Sequence, residues 1–145
     1  MRRLLAAAGI ALLLPACAAG PSGGTGAQPD HDAESRRLVA ELTALTTVTG
    51  ADVRLRTGAT WGRQVTLDVA TDSADPGTQR ELLEEATRLG WNTTSFVPSE
   101  VRTTVVGPDG TTLDPRDLGF GTRGADSAGL YARFGAPAAD EDWRP

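Results

Sequence analysis

Several residue types that carry catalytic or stabilising chemistry are scarce in this chain. It contains one cysteine, one histidine and no lysine. A single cysteine cannot form an internal disulfide, which excludes a disulfide-stabilised scaffold. The histidine, His31, precedes the apolar patterns of the body of the chain, so that body offers no Ser-His-Asp triad, and the lack of lysine excludes Schiff-base chemistry.

Positive charge is also in short supply. All 14 basic residues are arginines, 19 residues are acidic, and the formal net charge is -5 at pH 7. Binding to nucleic acid requires a basic face that pairs with backbone phosphates. We therefore expect no nucleic-acid partner.

The chain does contain one apolar segment, close to its first residue. Arg2 and Arg3 precede a stretch of apolar and small residues at 4–14. A helix of that length rises only about 16 Å, about half the thickness of the hydrocarbon core of a membrane. The layout is typical of an export signal. We therefore expect residues 1–16 to form a signal peptide that is cleaved.

The end of this segment resembles the lipobox of bacterial lipoproteins. Leu14, Ala16 and Cys17 match that motif, whereas Pro15 stands where the lipobox usually has a small or aliphatic residue. The resemblance implies cleavage before Cys17, a lipid on its thiol, and anchoring at the extracytoplasmic face of the cell membrane. The covalent lipid on Cys17 is the only non-protein group we expect, with no cofactor and no metal ion. The alternative is a simple secretory peptide that happens to contain a cysteine.

The residues after Cys17 predict a spacer. Residues 17–31 are rich in Gly, Pro, Ser and Ala and show no apolar periodicity. We therefore expect a flexible tether that ends at His31 in a solvated Asp-His-Asp sequence. A single domain at 32–135 and an acidic tail at 136–145 are expected to follow.

The first half of the domain predicts a helix and a hairpin. Leu38, Leu42 and Leu45 are spaced i, i+4 and i+7, with Glu34 among the residues expected to face water. Apolar residues then alternate with polar ones at 51–56 and again at 65–69, as in strands with one buried face. The short glycine-containing stretch between them predicts an antiparallel turn.

A second helix is expected to begin at Asp75 and Pro76 and to stop at Gly90 in a left-handed conformation, with Trp91 folding back on it. A third strand at 101–106 completes the order helix, strand, strand, helix, strand. The predicted fold class is α+β, a small two-layer domain with a mostly antiparallel sheet and two helices on one face. The sequence also predicts a polar loop between Trp91 and the third strand, a short fourth strand at 111–113, and one or two helical turns at 127–134.

This order of elements resembles the BON domain of bacterial envelope proteins over residues 34–106. The run 62–67, a glycine followed by an alternating strand, is similar to that family, but its tight Gly-Val link before the last strand is replaced by Gly90, Trp91 and a longer loop. The resemblance implies binding to phospholipid or another envelope component. The helix, hairpin and Gly-Trp-terminated helix also resemble actinobacterial lipoproteins without a known activity, and the exclusive use of arginine is typical of a high-GC genome.

The candidates for chemistry in the body are few. Asp72 with Asp75, and Asp109 with Asp114, are the carboxylate pairs that could bind calcium or act as acid and base, although helix caps and turns also account for them. Trp61 in the hairpin turn and Trp91 at the helix end form a candidate binding surface for glycan or peptide, if they meet on one side of the sheet. Otherwise each covers an edge of the core.

These observations favour a membrane-anchored envelope lipoprotein that is a non-catalytic binding or scaffolding module, not an enzyme. The partner would be an envelope protein or a cell-wall component. Two alternatives remain: a receptor with an apolar cavity between sheet and helices for a lipid or small ligand, and a carboxylate-dependent hydrolase of cell-wall polymer.

Overall fold

The computed structural model describes residues 30–145, which form three helices and a five-stranded sheet. Cys17 and the predicted signal peptide lie outside the described residues. The elements, in chain order, are α1 (His31–Thr43), β1 (Val48–Gly58), β2 (Gly62–Thr71), α2 (Pro76–Trp91), β3 (Glu100–Val106), β4 (Thr112–Leu113), a 3₁₀ helix (Pro115–Leu118), β5 (Gly124–Asp126) and α3 (Ser127–Phe134).

The sheet is mixed and mostly antiparallel. Strand β1 pairs antiparallel with β2. Strand β2 pairs parallel with β3, because helix α2, which connects them, returns the chain to the end of the sheet at which β2 begins. The far edge of β3 is shared by two short antiparallel strands. Strand β4 pairs with the end of β3 at Val105, and β5 with its beginning at Val101.

The predicted fold class is confirmed: the domain is α+β, with the helices packed on the sheet. Alternate residues of β2, namely Val65, Leu67 and Val69, are buried beneath helices α1 and α2. Leu38 and Leu42 of α1 are fully buried against this layer, as their spacing predicts. The opposite face of the sheet carries mostly polar side chains, and within residues 30–145 none of the three α-helices packs on it.

Helix α1 begins one residue inside the predicted tether. Asp30 is its N-cap and accepts a hydrogen bond from the backbone N–H of Ala33 at 2.9 Å, so His31 is the first helical residue. The His31 ring contacts Phe96 edge to face, with the ring centroids 5.5 Å apart, and its Nε2 lies 3.3 Å from the Thr57 hydroxyl. The expectation of a solvated His31 is therefore wrong.

Glu34 is also placed differently from the prediction. It is 6% exposed and does not face water. Its carboxylate accepts hydrogen bonds from the Thr93 hydroxyl at 2.8 Å, from the Thr94 backbone N–H at 2.7 Å and from Arg37. This cluster fixes α1 to the loop that follows α2.

Helix α2 starts as predicted and ends differently. Asp75 caps it by accepting from the Thr78 backbone N–H at 2.7 Å. Gly90 does not terminate the helix, which runs on to Trp91, and Gly90 has no positive φ. Its lack of a side chain serves packing instead, because a Cβ there would lie 2.6 Å from Leu67 Cδ1. Glycine at position 90 therefore lets the helix approach the sheet closely.

The last twenty residues pack on the domain. Helix α3 occupies the predicted segment, and Asp126 caps it. Trp143, in the predicted acidic tail, lies edge to face against Trp91 and Tyr131, at centroid distances of 5.6 and 5.9 Å. The part of the chain after residue 135 therefore covers one end of the core.

Candidate functional site

The face of the sheet that lacks helices is the candidate functional site. It is built by the strand positions that alternate with the core residues, such as Thr66 and Asp68 in β2 and Arg102 and Thr104 in β3. Over β1 this face is occupied by the protein's own charges, because Arg54 forms ion pairs with Asp52 and Asp68. Over β3 it is open.

The open part forms a groove of about 700 Å³. Its floor is the exposed face of β2 and β3, one wall is the start of the 3₁₀ helix, and the other is the loop before β5. None of the apolar side chains of residues 30–145 lines it. The residues that line it are threonines, three arginines, two carboxylates and a glycine: Thr66, Thr103, Thr104, Thr112, Thr122, Arg102, Arg116, Arg123, Glu100, Asp114 and Gly124.

Asp114 holds two of the arginines at one wall of the groove. Its side chain caps the 3₁₀ helix by accepting from the Arg116 backbone N–H at 3.0 Å, and it pairs with the Arg116 guanidinium through two bonds of 2.9 and 2.7 Å. Arg123 approaches the same carboxylate only through Nε, at 3.6 Å. The Arg116 side chain is the main cause of the lowered pKa of Asp114, and further hydrogen bonds and Arg123 act in the same direction.

Glu100 anchors the third arginine, Arg102, on β3 where this strand pairs with β5. Its carboxylate accepts from Arg102 Nε at 3.0 Å and from Gln64 Nε2 at 2.6 Å. The carboxylate lies directly on the backbone of β5. A Cβ at Gly124 would be only 1.8 Å from Glu100 Oε1. Glycine at position 124 is therefore required for this arrangement.

The groove carries more positive than negative charge. Its three guanidiniums face two carboxylates, and both carboxylates are already engaged by arginine. Within residues 30–145, the terminal Nη groups of Arg102 and Arg123 make no hydrogen bond to the protein. The Arg123 side chain is 78% exposed. In an acidic chain, this site offers unpaired donors to an anionic or strongly polar ligand.

The carboxylate pairs considered for acid–base chemistry have local structural roles. Asp75 caps α2, and Asp109 accepts from the backbone N–H and the hydroxyl of Thr111. These hydrogen bonds lower the pKa of Asp75 and of Asp109. A general acid needs a pKa raised towards neutrality, so the lowered pKa values of Asp75, Asp109 and Asp114 do not suit them to that role. Across residues 30–145, no group of three or more metal-ligating side chains is assembled.

The two tryptophans predicted as a binding surface are not brought together. Trp61 is 59% exposed in the hairpin turn, beneath the Arg56 guanidinium at 5.6 Å from the ring centroid. Trp91 is fully buried, and its indole N–H donates to the Gly135 carbonyl at 2.9 Å. The proposed pairing of Trp61 and Trp91 is corrected accordingly: Trp91 is part of the core, because α2 continues through it and the last residues of the chain cover it.

Trp61 lies instead in the hairpin that contacts the first residues of the described chain. The described chain begins at Asp30, and His31 contacts Thr57 in the same hairpin. Residues 55–67, which include the hairpin turn, contain two charged residues, Arg56 and Arg63, and no acidic one. The groove lies on the open face of β2 and β3, and β2 is also the second strand of this hairpin.

The arginines of the groove were not singled out by the sequence. Arg102 lies in a predicted strand, and its alternation with Val101 already places it on the exposed face. Arg116 and Arg123, however, lie in a segment without periodicity. They reach the groove because β5 returns to pair with the start of β3, a contact that no local pattern indicates.

Comparison of the chain with protein-family models, curated proteins and solved structures found no match. The resemblances to the lipobox and to the BON domain therefore stay predictions from the residues that carry them. None of the described helices is long and apolar enough to cross a membrane.

Proposed function

We propose that this protein is a lipid-anchored binding module of the cell envelope, and that the groove on the open sheet face is its binding surface. The observation that carries the proposal is the groove itself: guanidinium donors without protein acceptors stand on a rigid sheet beside threonine hydroxyls. Binding sites are concave surfaces with a few convergent polar groups, and this one fits that description.

The anchor and the groove fit one arrangement of the molecule. Cys17, the proposed lipidation site, precedes Asp30 by a short Gly-rich segment, and Asp30 enters the domain beside the hairpin. The groove lies across the sheet from β1. Because the described chain begins at α1, which packs on the covered face of the sheet, a tether there would leave the open face free to bind other components of the envelope.

The anchoring half of the proposal is tested by Cys17→Ala. Without the thiol there is no site for the lipid, and the apolar segment is too short to span a membrane. We expect the variant to move from the membrane fraction to the supernatant on ultracentrifugation. Mass spectrometry of the wild-type protein should find two or three acyl chains on residue 17. Membrane retention of Cys17→Ala in full would contradict lipid anchoring.

The binding half is tested with envelopes from which detergent has removed the lipid, so that the anchor plays no part. The full-length protein in a neutral detergent should sediment with this material. Arg102→Gln and Arg123→Gln should reduce sedimentation, because each removes donors from the groove. Arg80→Gln is the matched control, since Arg80 is exposed on α2 away from the groove. Equal sedimentation of all variants would contradict the assignment of the groove.

A further inference from the structure

The residues that line the groove restrict the kind of ligand that it can accept. Five of its residues are threonines, three are arginines, two are carboxylates and one is a glycine. Among residues 30–145, the groove has no apolar side chain against which a peptide or lipid could bury large apolar groups, and burial of such groups is what stabilises their binding. The lining therefore favours a ligand that is polar over its whole surface.

The net charge of the groove indicates the sign of the charge that its ligand carries. Glu100 and Asp114 accept hydrogen bonds from Arg102 and Arg116, so their negative charge is already compensated within the protein. Arg123 has no such close partner, because it meets Asp114 only at 3.6 Å through Nε. The charge left without compensation is one guanidinium, which is complementary to an anionic group.

The anion that arginines of the groove already bind within the protein is a carboxylate. The guanidiniums of Arg102 and Arg116 already bind carboxylates, and Arg116 does so with two parallel bonds of 2.9 and 2.7 Å. The terminal Nη groups of Arg123 offer a second planar fork of the same kind, which the two oxygens of a carboxylate match in two bonds, as a phosphate also can. The hydroxyls of Thr104 and Thr112 beside it both donate and accept, as sugar hydroxyls do.

From these observations we infer that the groove binds a carboxylate-bearing oligosaccharide, with Arg123 and Arg102 on the carboxylate and Thr104 and Thr112 on the sugar hydroxyls. This inference rests on the proposed function and names its ligand class. No aromatic side chain lines the groove, so recognition depends on the carboxylate and not on stacking against the sugar ring. The volume of about 700 Å³ is within the usual range for small-ligand sites.

The test is a titration of the full-length protein in neutral detergent with three probes: the trimer of galacturonic acid, its methyl ester, and short poly(glycerol phosphate). We expect the trimer to bind, with affinity that falls as salt is raised, and the uncharged ester not to bind. Arg102→Gln and Arg123→Gln should each weaken binding of the trimer at least tenfold, and Arg80→Gln less than twofold. The trimer should also shift the NMR signals of the Nε–H groups of Arg102 and Arg123.

Several results would overturn this inference. Equal binding of the methyl ester would show that the carboxylate is not recognised, and tighter binding of poly(glycerol phosphate) would assign the site to phosphate. If no probe binds while Arg102→Gln and Arg123→Gln still reduce sedimentation with envelopes, the ligand class is wrong and the proposed function stands. If no probe binds and the arginine variants sediment with envelopes like the wild type, both the ligand class and the assignment of the groove as the binding surface are wrong. Circular dichroism of each variant verifies that the substitutions leave the fold intact.

Discussion

Replacing Trp91 by alanine is expected to lower the free energy of unfolding by about 3–5 kcal/mol. Trp91 is fully buried, donates its N–H to Gly135 and packs edge to face on Trp143. Truncation would remove these contacts and leave a cavity where α2 meets the end of the chain. Small domains have total stabilities of only about 5–15 kcal/mol, so the variant would lose a large fraction of its stability.

Trp61→Ala is the matched control within the same chain. Trp61 is mostly exposed and its neighbour Arg56 is a surface residue, so the expected change is within about 0.5 kcal/mol. Both variants are measured by urea unfolding, followed by far-UV circular dichroism so that loss of a tryptophan does not remove the signal. Trp91→Phe should fall between them, because it keeps an aromatic ring but loses the bond to Gly135. Similar stabilities for Trp91→Ala and Trp61→Ala would contradict this account of the core.

The second large effect is a dependence of stability on pH that originates in Glu34. Its hydrogen bonds from Arg37, together with those from Thr94 and Thr93, lower the pKa of Glu34 from 4.5 to about 2. Because the folded state holds the carboxylate ionised, the stabilisation is complete above pH 4.5 and is lost as the pH falls towards 2. A pKa difference of this size between the folded and unfolded states contributes about 3 kcal/mol to the free energy of unfolding.

Glu34→Gln should remove this dependence. At pH 7 the variant is expected to be about 2–3 kcal/mol less stable than the wild type, and the difference should shrink towards zero near pH 2, where the wild-type carboxyl is protonated. Urea unfolding at a series of pH values measures it. Glu41→Gln is the control, because Glu41 pairs with the same Arg37 at the surface and its loss should cost less than about 1 kcal/mol. A difference between wild type and Glu34→Gln that stays constant from pH 7 to 2 would contradict the assignment.

Local sequence patterns were sufficient to predict the fold class. The spacing of Leu38 and Leu42, the alternation along β1 and β2, and the cap at Asp75 each depend on residues close together in the chain, and the structure contains the helix, the hairpin and the helix start that they indicate. The errors occur where distant segments meet. Glu34 appeared to be a surface residue because its partners, Thr93 and Thr94, lie about sixty positions away.

The same distinction explains what was missed in the candidate site. Gly90 and Trp91 have the sequence of a helix end, but contacts with Leu67 and with Trp143 give them a packing role that only the folded chain reveals. The groove depends on β5 pairing with β3, which brings Arg123 next to Arg102. Neither a motif nor a period in the sequence encodes that juxtaposition.

The measurement that tests the central claim most directly is sedimentation of the full-length protein with delipidated envelopes, comparing the wild type with a variant that carries both Arg102→Gln and Arg123→Gln. If the open sheet face is the binding surface, the double variant should bind at least tenfold more weakly, whereas Arg80→Gln should bind like the wild type. Equal binding of all three proteins, each folded by circular dichroism, would contradict the claim.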